Sequence, residues 1–324
     1  MNELISVVIP IKNMELYIAD CLDSIVNSTE RPLEVIIVDF GSEDRSIDIV
    51  HRYEQRYPCI RLVQDFGGDA ASSRNMGLSL ATGEYVSFID CDDWIAPNML
   101  EVLYNKIKQG NYDLVSCNYM NVFVEKQVPV NTQSQYAVRT TLDNMNQVLS
   151  WMALGGMGAE IWTKLYRTEY LKENQILFES ENGINGEDVF FNYCVLLHQA
   201  KICTIDDVLY YHRIRNNSLS RRRTDCLTKR FITIVEKLLC VADDLKLDIS
   251  QGIGQLLISL IIQDVVSQEA KKDKLAVLEK YLENEQMLKL CRQAVVHPCI
   301  SIKRRVLCIL LALKQPKIIV YFVN

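Results

Sequence analysis

Between residues 1 and 117 the chain repeats one pattern: a short apolar, β-branched run, then a segment whose apolar residues fall at helical spacing. The runs occupy residues 4–11, 33–38, 60–64, 84–89 and 112–117. Between them, Ile18, Leu22, Ile25 and Val26 mark one helical face and Ile47, Val50 and residues 53–57 another. A third helix is predicted over 69–81, with Gly83 as its C-cap. Parallel strands need crossover connections, so the alternation predicts an α/β fold with a mostly parallel central sheet flanked by helices. Strands at 202–205 and 208–212 extend the globule, while 118–140 reads as hairpin or loop and 143–154 as a helix ended by Gly155 and Gly156. Beyond about residue 224 the periodicity is helical, which predicts a first domain over 1–223, with halves 1–117 and 118–223, and a helical region over 224–324.

Ligands of open α/β sheets sit beyond the carboxyl ends of the strands. The run Tyr85 to Ile89 leads there into Asp90, Cys91, Asp92 and Asp93, three carboxylates within four residues. Such a group suits a hard divalent cation that shares its oxygen ligands with phosphates; capping of a helix begun by Pro97 would use only one of them. The second strand ends in Asp39, before a turn at Gly41 and Ser42, where a carboxylate can meet a nucleobase or ribose. Arg74 lies one turn into the third helix, where its donor fork suits a phosphate or base carbonyl. Glu187 and Asp188 open an apolar helix, a placement the helix dipole favours in any protein and one that also suits a general base. Arg213 and Arg215, followed by Asn216, Asn217, Ser218 and the Arg221–Arg223 triplet, form a basic loop able to close over a diphosphate.

The net charge of −6 argues against nucleic acid as partner. Eleven cysteines without a C-x-x-C pair, and four histidines without ligand spacing, point to reduced thiols in a cytoplasmic protein and to no zinc site. No leader peptide and no spanning segment is expected. Residues 301–324 carry Lys303, Arg304, Arg305, Lys314 and Lys317 and no acid among apolar residues, a segment able either to lie in a membrane interface or to pack on the domain. Homo-oligomerisation is left open.

In order, Ser6-Val7-Val8-Ile9-Pro10, Val38-Asp39-Phe40-Gly41-Ser42, Ser73-Arg74-Asn75-Met76-Gly77, Phe88-Ile89-Asp90-Cys91-Asp92-Asp93, Trp162-Thr163-Lys164-Leu165-Tyr166, Glu187-Asp188-Val189-Phe190-Phe191 and Tyr210-Tyr211-His212-Arg213 resemble the family 2 glycosyltransferases of bacterial polysaccharide synthesis, over residues 4–220. The resemblance implies a GT-A type fold, a nucleotide-sugar donor such as a UDP-sugar, a glycan or lipid-linked acceptor, Mn2+ or Mg2+ as cofactor, and inversion at the anomeric carbon. By position it assigns Asp188, or Glu187 beside it, as the base. Asp92 and Asp90 become metal ligands. Pro10, Ile11, Asp39, Arg74, Asp90, Cys91, Asp92, Lys164, Arg213 and Arg215 become donor contacts, and Trp162 and Asp93 acceptor contacts. The chain departs from the family at Lys12, commonly aromatic, at Phe40, usually a second acid, and at His212, frequently tyrosine. A nucleotidyltransferase would need a phosphate loop that the stretch after Pro10 lacks. An inactive sugar-nucleotide-binding or scaffold protein is the remaining alternative.

Overall fold

The computed structural model describes residues 3–28, 33–123, 127–130, 136–141, 143–179, 186–215, 227–268, 270–295 and 301–323. In chain order the elements are β1 (Ile5–Ile11), α1 (Ile18–Val26), β2 (Leu33–Asp39), α2 (Ser46–Arg56), β3 (Ile60–Gln64), α3 (Ala70–Leu80), β4 (Tyr85–Phe88), β5 (Trp94–Ile95), α4 (Met99–Gly110), β6 (Leu114–Val122), β7 (Gln127–Val130) and β8 (Tyr136–Arg139). They continue with α5 (Met145–Ala153), β9 (Lys164–Arg167), α6 (Thr168–Glu173), α7 (Glu187–Leu197), β10 (Lys201–Arg213), α8 (Leu227–Asp244), α9 (Ser250–Ser267), α10 (Lys271–Glu283), α11 (Glu285–Ala294), α12 (Ile302–Ala312) and α13 (Pro316–Val323). Two compact units result: Met1–Arg139 with Met157–Arg222, and Thr140–Gly156 with Arg223–Asn324. Periodicity alone places 140–156 with the sheet; α5 instead packs on α9, through bonds such as Gly252 N–H to Asn146 Oδ1 at 2.8 Å.

The first unit is the α/β globule. Its strands run in the order β3-β2-β1-β4-β9-β6-β10-β5, with β7 beside β6 and β8 beside β10. The pairs β1–β2, β2–β3, β1–β4 and β6–β10 are parallel. Every residue of β1 is buried, as a central strand covered on both faces requires. Register then places the chemistry: Ile11 pairs with Asp39 and Val8 with Phe88, so Asp39 and the 90–93 turn leave the sheet at one edge. The strands read at 202–205 and 208–212 are one strand, β10, broken only by register shifts between Thr204 and Tyr210.

Gly83 is not a C-cap. Helix α3 ends at Leu80 with an extended Ala81 as its cap, and a Cβ on Gly83 would come within 2.7 Å of the Leu4 carbonyl and the Ser6 amide. The position demands glycine because the chain passes against β1. Gly77 serves α3 likewise, for a Cβ there would meet Val8 Cγ1 at 2.2 Å; the helix can therefore lie on β1 and hold Arg74 over the strand ends.

The second unit gathers its helices round α9, whose Ile253, Leu257, Ile258 and Ile261 are buried. Asp264 of α9, 1% exposed, accepts hydrogen bonds from Thr228 Oγ1 of α8 at 2.7 Å and Tyr281 Oη of α10 at 3.0 Å, locking three helices through one carboxylate. Among the described residues no helix is long and apolar enough to cross a membrane.

Candidate active site

The chain leaves β4 with Ile89 N–H bonded to Val8 O and turns through Asp90–Asp93, where the Asp93 amide donates to the Asp90 carbonyl at 3.1 Å. The adjacent carboxylates part company here. Asp93 is 1% exposed, and its two oxygens accept from Tyr210 Oη at 2.7 Å and the Arg213 amide at 2.7 Å. Burial, then the Asp92 and Asp90 charges, push its carboxyl well above the usual range. It therefore pins β10 to the turn and offers nothing to an acceptor, contrary to the sequence expectation. Cys91 is also turned inward, its buried thiol pushed up by desolvation, so only its backbone can reach a donor. The capping alternative fails, because Asn98 precedes α4 and no side chain caps it.

Asp90 and Asp92 face outward, 31% and 17% exposed. Arg74 Nη2 donates to Asp90 Oδ1 at 2.9 Å, while Nη1 lies 3.2 Å from Glu187 Oε1 and 3.9 Å from Asp188 Oδ1. One guanidinium, 6% exposed, thus joins the strand-end acids to the acids opening α7. Burial opposes its charge, and the Asp90, Asp188 and Glu187 carboxylates outweigh that and raise its pKa. Asn75 beside it exchanges hydrogen bonds with the Phe178 backbone at 2.7 and 2.8 Å, and Phe178 stacks on Phe191 of α7.

Asp188 is the electrostatic focus. Its side chain is 26% exposed, yet Oδ1 is buried with no hydrogen bond. Burial drives its carboxyl well above the usual range; Arg74 counters, while Glu187, Asp90 and Glu160 add to the rise. Glu160 matches it: Oε1 accepts from Tyr119 Oη at 3.1 Å and Oε2 is buried without a hydrogen bond. The 157–160 loop is clamped from below. Asn192 Nδ2 donates to the Ala159 carbonyl at 2.7 Å and to the Asp188 carbonyl at 3.1 Å. Lys164 Nζ donates to the carbonyls of Gly158 at 3.3 Å and Glu160, and to Thr163 Oγ1. Lys164 is 0% exposed and burial lowers its pKa to about 8, against the pull of Glu160 and Asp188. The lysine expected to touch the donor is a buried clamp. Trp162, 6% exposed, stacks on Tyr210 at 4.3 Å and His212 at 5.3 Å, so it braces the acid-bearing loop on β10 with little surface left for an acceptor. His212 has a structural place there, with Nδ1 2.9 Å from Asn121 Oδ1. Sequence reasoning missed Glu160 because a lone acid in a loop carries no pattern.

On the other flank, Arg213 and Arg215 close over the turn. Arg213 donates to the Asp92 carbonyl and to Asp20 Oδ2, each at 2.9 Å, and lies over the Tyr17 and Trp94 rings. Arg215 Nη2 lies 2.5 Å from Asp92 Oδ2. Residues 216–226, with the Arg221–Arg223 triplet, lie outside the described residues. Asp39, 2% exposed, accepts from the Gly41 and Ser42 amides at 3.1 Å, so the turn bonds form through Asp39 itself. Pro10 and Ile11 are buried in β1 beside it. The departures at Lys12 and Phe40 meet in space, the Lys12 ammonium lying 5.5 Å from the Phe40 ring centre.

A separate hollow of about 560 Å³, lined by Thr82, Glu84, Arg167 and Lys172 among others, opens where β4 begins and β9 ends, away from all these acids. The profile of glycosyl transferase family 2 matches residues 6–165. Glycosyltransferase GlyG of Streptococcus pneumoniae is 31% identical over 247 residues, covering 72% of this chain and 79% of GlyG. The chain belongs to glycosyltransferase family 2. The uncharacterized glycosyltransferase EpsJ of Bacillus subtilis is 29% identical over 68% of the chain, and the match spans 64% of EpsJ. In structure, S. aureus TarS 1–349, solved in complex with UDP-GlcNAc, aligns at a TM-score of 0.75 and 21% identity over 98% of this chain and 90% of its own, a likeness of GT-A fold.

Proposed function

We propose that this family 2 member is an inverting glycosyltransferase that moves a sugar from a UDP-sugar to a hydroxyl of a glycan or lipid-linked acceptor in cell-surface polysaccharide synthesis. The observation that carries the reading is the Arg74 bridge, which sets Asp90 and Asp188, 98 residues apart in sequence, round one guanidinium at the sheet edge where such folds bind ligands. The nucleotide-sugar complex of TarS supports the choice of donor class, and the acceptor class follows the family resemblance. The free cysteines, none in a disulfide among the described residues, fit work on the cytoplasmic side.

The acids fit a divalent cation. Burial and the neighbouring Asp90 charge raise the Asp92 carboxyl, so two oxygen-donor groups stand close enough to repel. Two carboxylates together with substrate phosphates are a common oxygen set for such an ion. Asp90 and Asp92 would hold Mn2+ or Mg2+, which when bound supplies positive charge to the diphosphate. Arg213 and Arg215, beside Asp92, then stabilise the negative charge that grows on the departing UDP. Asp188 takes the proton from the acceptor hydroxyl as that oxygen attacks the anomeric carbon from the face opposite the diphosphate. Its raised pKa strengthens it as a base, while the Arg74 charge favours the ionised form. Holding donor and acceptor in line supplies several kcal/mol more.

A thermal-shift panel of nucleotides and nucleotide-sugars with and without manganese tests the reading, together with assay of UDP release from UDP-GlcNAc and UDP-glucose. Stabilisation by UDP in manganese and slow UDP release are expected. Stabilisation without any turnover would favour the inactive binding protein, and no response to any nucleotide diphosphate would remove the donor site.

A further inference from the structure

Helix α12 has two apolar faces, and only one is used. Leu307, Cys308 and Leu311 are buried against the helical unit. On the opposite side Ile302, Val306, Ile309 and Leu313 stand 81%, 37%, 45% and 62% exposed. At 3.6 residues per turn these four fall within an arc of about 60°, with Lys303 and Arg305 on its two sides. The Lys303 ammonium lies 5.8 Å from the Phe322 ring, so the start of α12 meets the end of α13 and the helices run antiparallel. Helix α13 adds Ile318 and Tyr321, 49% and 73% exposed, and the exposed Lys317. The basic residues are not equivalent. Arg304 turns inward to Gln255 and Ser259, and Lys314 pairs with Glu285 at 3.0 Å. Lys303, Arg305 and Lys317 remain exposed around the stripe, and residues 301–324 contain no acid.

A soluble partner helix would need acids to match this rim, and a second copy would set cation against cation. An anionic bilayer satisfies both parts, because apolar side chains enter the acyl boundary while lysine and arginine stay at the phosphates. We propose that the α12–α13 face docks this protein on an anionic membrane surface. The inference is independent of the transferase chemistry.

Flotation of the whole chain tests it, with vesicles of phosphatidylcholine containing about one third phosphatidylglycerol and with phosphatidylcholine alone. Binding is expected to the anionic vesicles and to fall at high salt. Ile309→Asp with Leu313→Asp should cut the bound fraction by ~10-fold or more. Both positions are solvent-exposed, so the melting temperature and UDP binding should not change. Failure of the wild type to float with anionic vesicles, equal binding to neutral ones, or a double variant that floats undiminished would each overturn the proposal. So would a vesicle-free dimer, seen by sedimentation, that the same double variant dissolves.

Discussion

Two aspartates, one in each unit, are buried for opposite purposes. Asp264 in the helical unit has donors from two other helices and is 1% exposed; Asp188 in the sheet unit keeps an oxygen with no hydrogen bond and opens partly to solvent. A satisfied buried carboxylate stabilises packing, whereas an unsatisfied one costs free energy that structure alone does not return. The contrast also runs within the Asp90–Asp93 turn, where Asp93 is fully engaged and Asp90 and Asp92 face out.

The strongest way to break this contrast is to exchange the two effects. Asp188→Asn should lower transfer by about 10³-fold, in the range expected for losing a general base, with UDP binding held and the melting temperature no lower than wild type; a variant within a factor of a few of wild type would remove Asp188 as base. Asp264→Ala should do the reverse. Leaving the Thr228 and Tyr281 hydroxyls unpaired should cost about 3 kcal/mol in urea unfolding, with specific activity of the folded fraction unchanged.

Lys164→Met sharpens the comparison, because this side chain was expected at the donor and lies instead beneath the loop. Stripping the carbonyls of residues 158 and 160 of their donor should cost about 2 kcal/mol while the UDP dissociation constant stays put. A large loss of UDP affinity at full stability would restore the sequence reading. The smallest effect belongs to Glu160→Gln. Burial raises the Asp188 carboxyl, so the acid limb of kcat/KM should lie above the ordinary carboxylate range. The Glu160 charge adds to that rise; removing it should move the limb to lower pH. A limb that moves up, or not at all, would separate the two acids.

What was legible in sequence was whatever neighbours in the chain decide. The strand and helix alternation placed β1 to β4, and acids at strand ends and a helix start singled out Asp39, Asp90, Asp92 and Asp188 as candidates. What was hidden depends on distant partners. Nothing near Asp93 announces that Tyr210, 117 residues on, occupies its carboxylate. Nothing near Gly83 reveals the β1 backbone against it, and the periodicity of 143–154 cannot say that α5 joins α9 and not the sheet. Glu160 and Lys164 take their meaning from a loop whose shape no local pattern encodes.

The acids gathered by Arg74 and the arginines over Asp92 are proposed to surround one donor. A crystal structure with UDP-GlcNAc and manganese tests it directly. The diphosphate is expected between Asp92 and Arg213 or Arg215, with the anomeric carbon facing Asp188. Nucleotide density elsewhere, as in the hollow beside Arg167 and Lys172, with the Arg74 cluster empty, would contradict it.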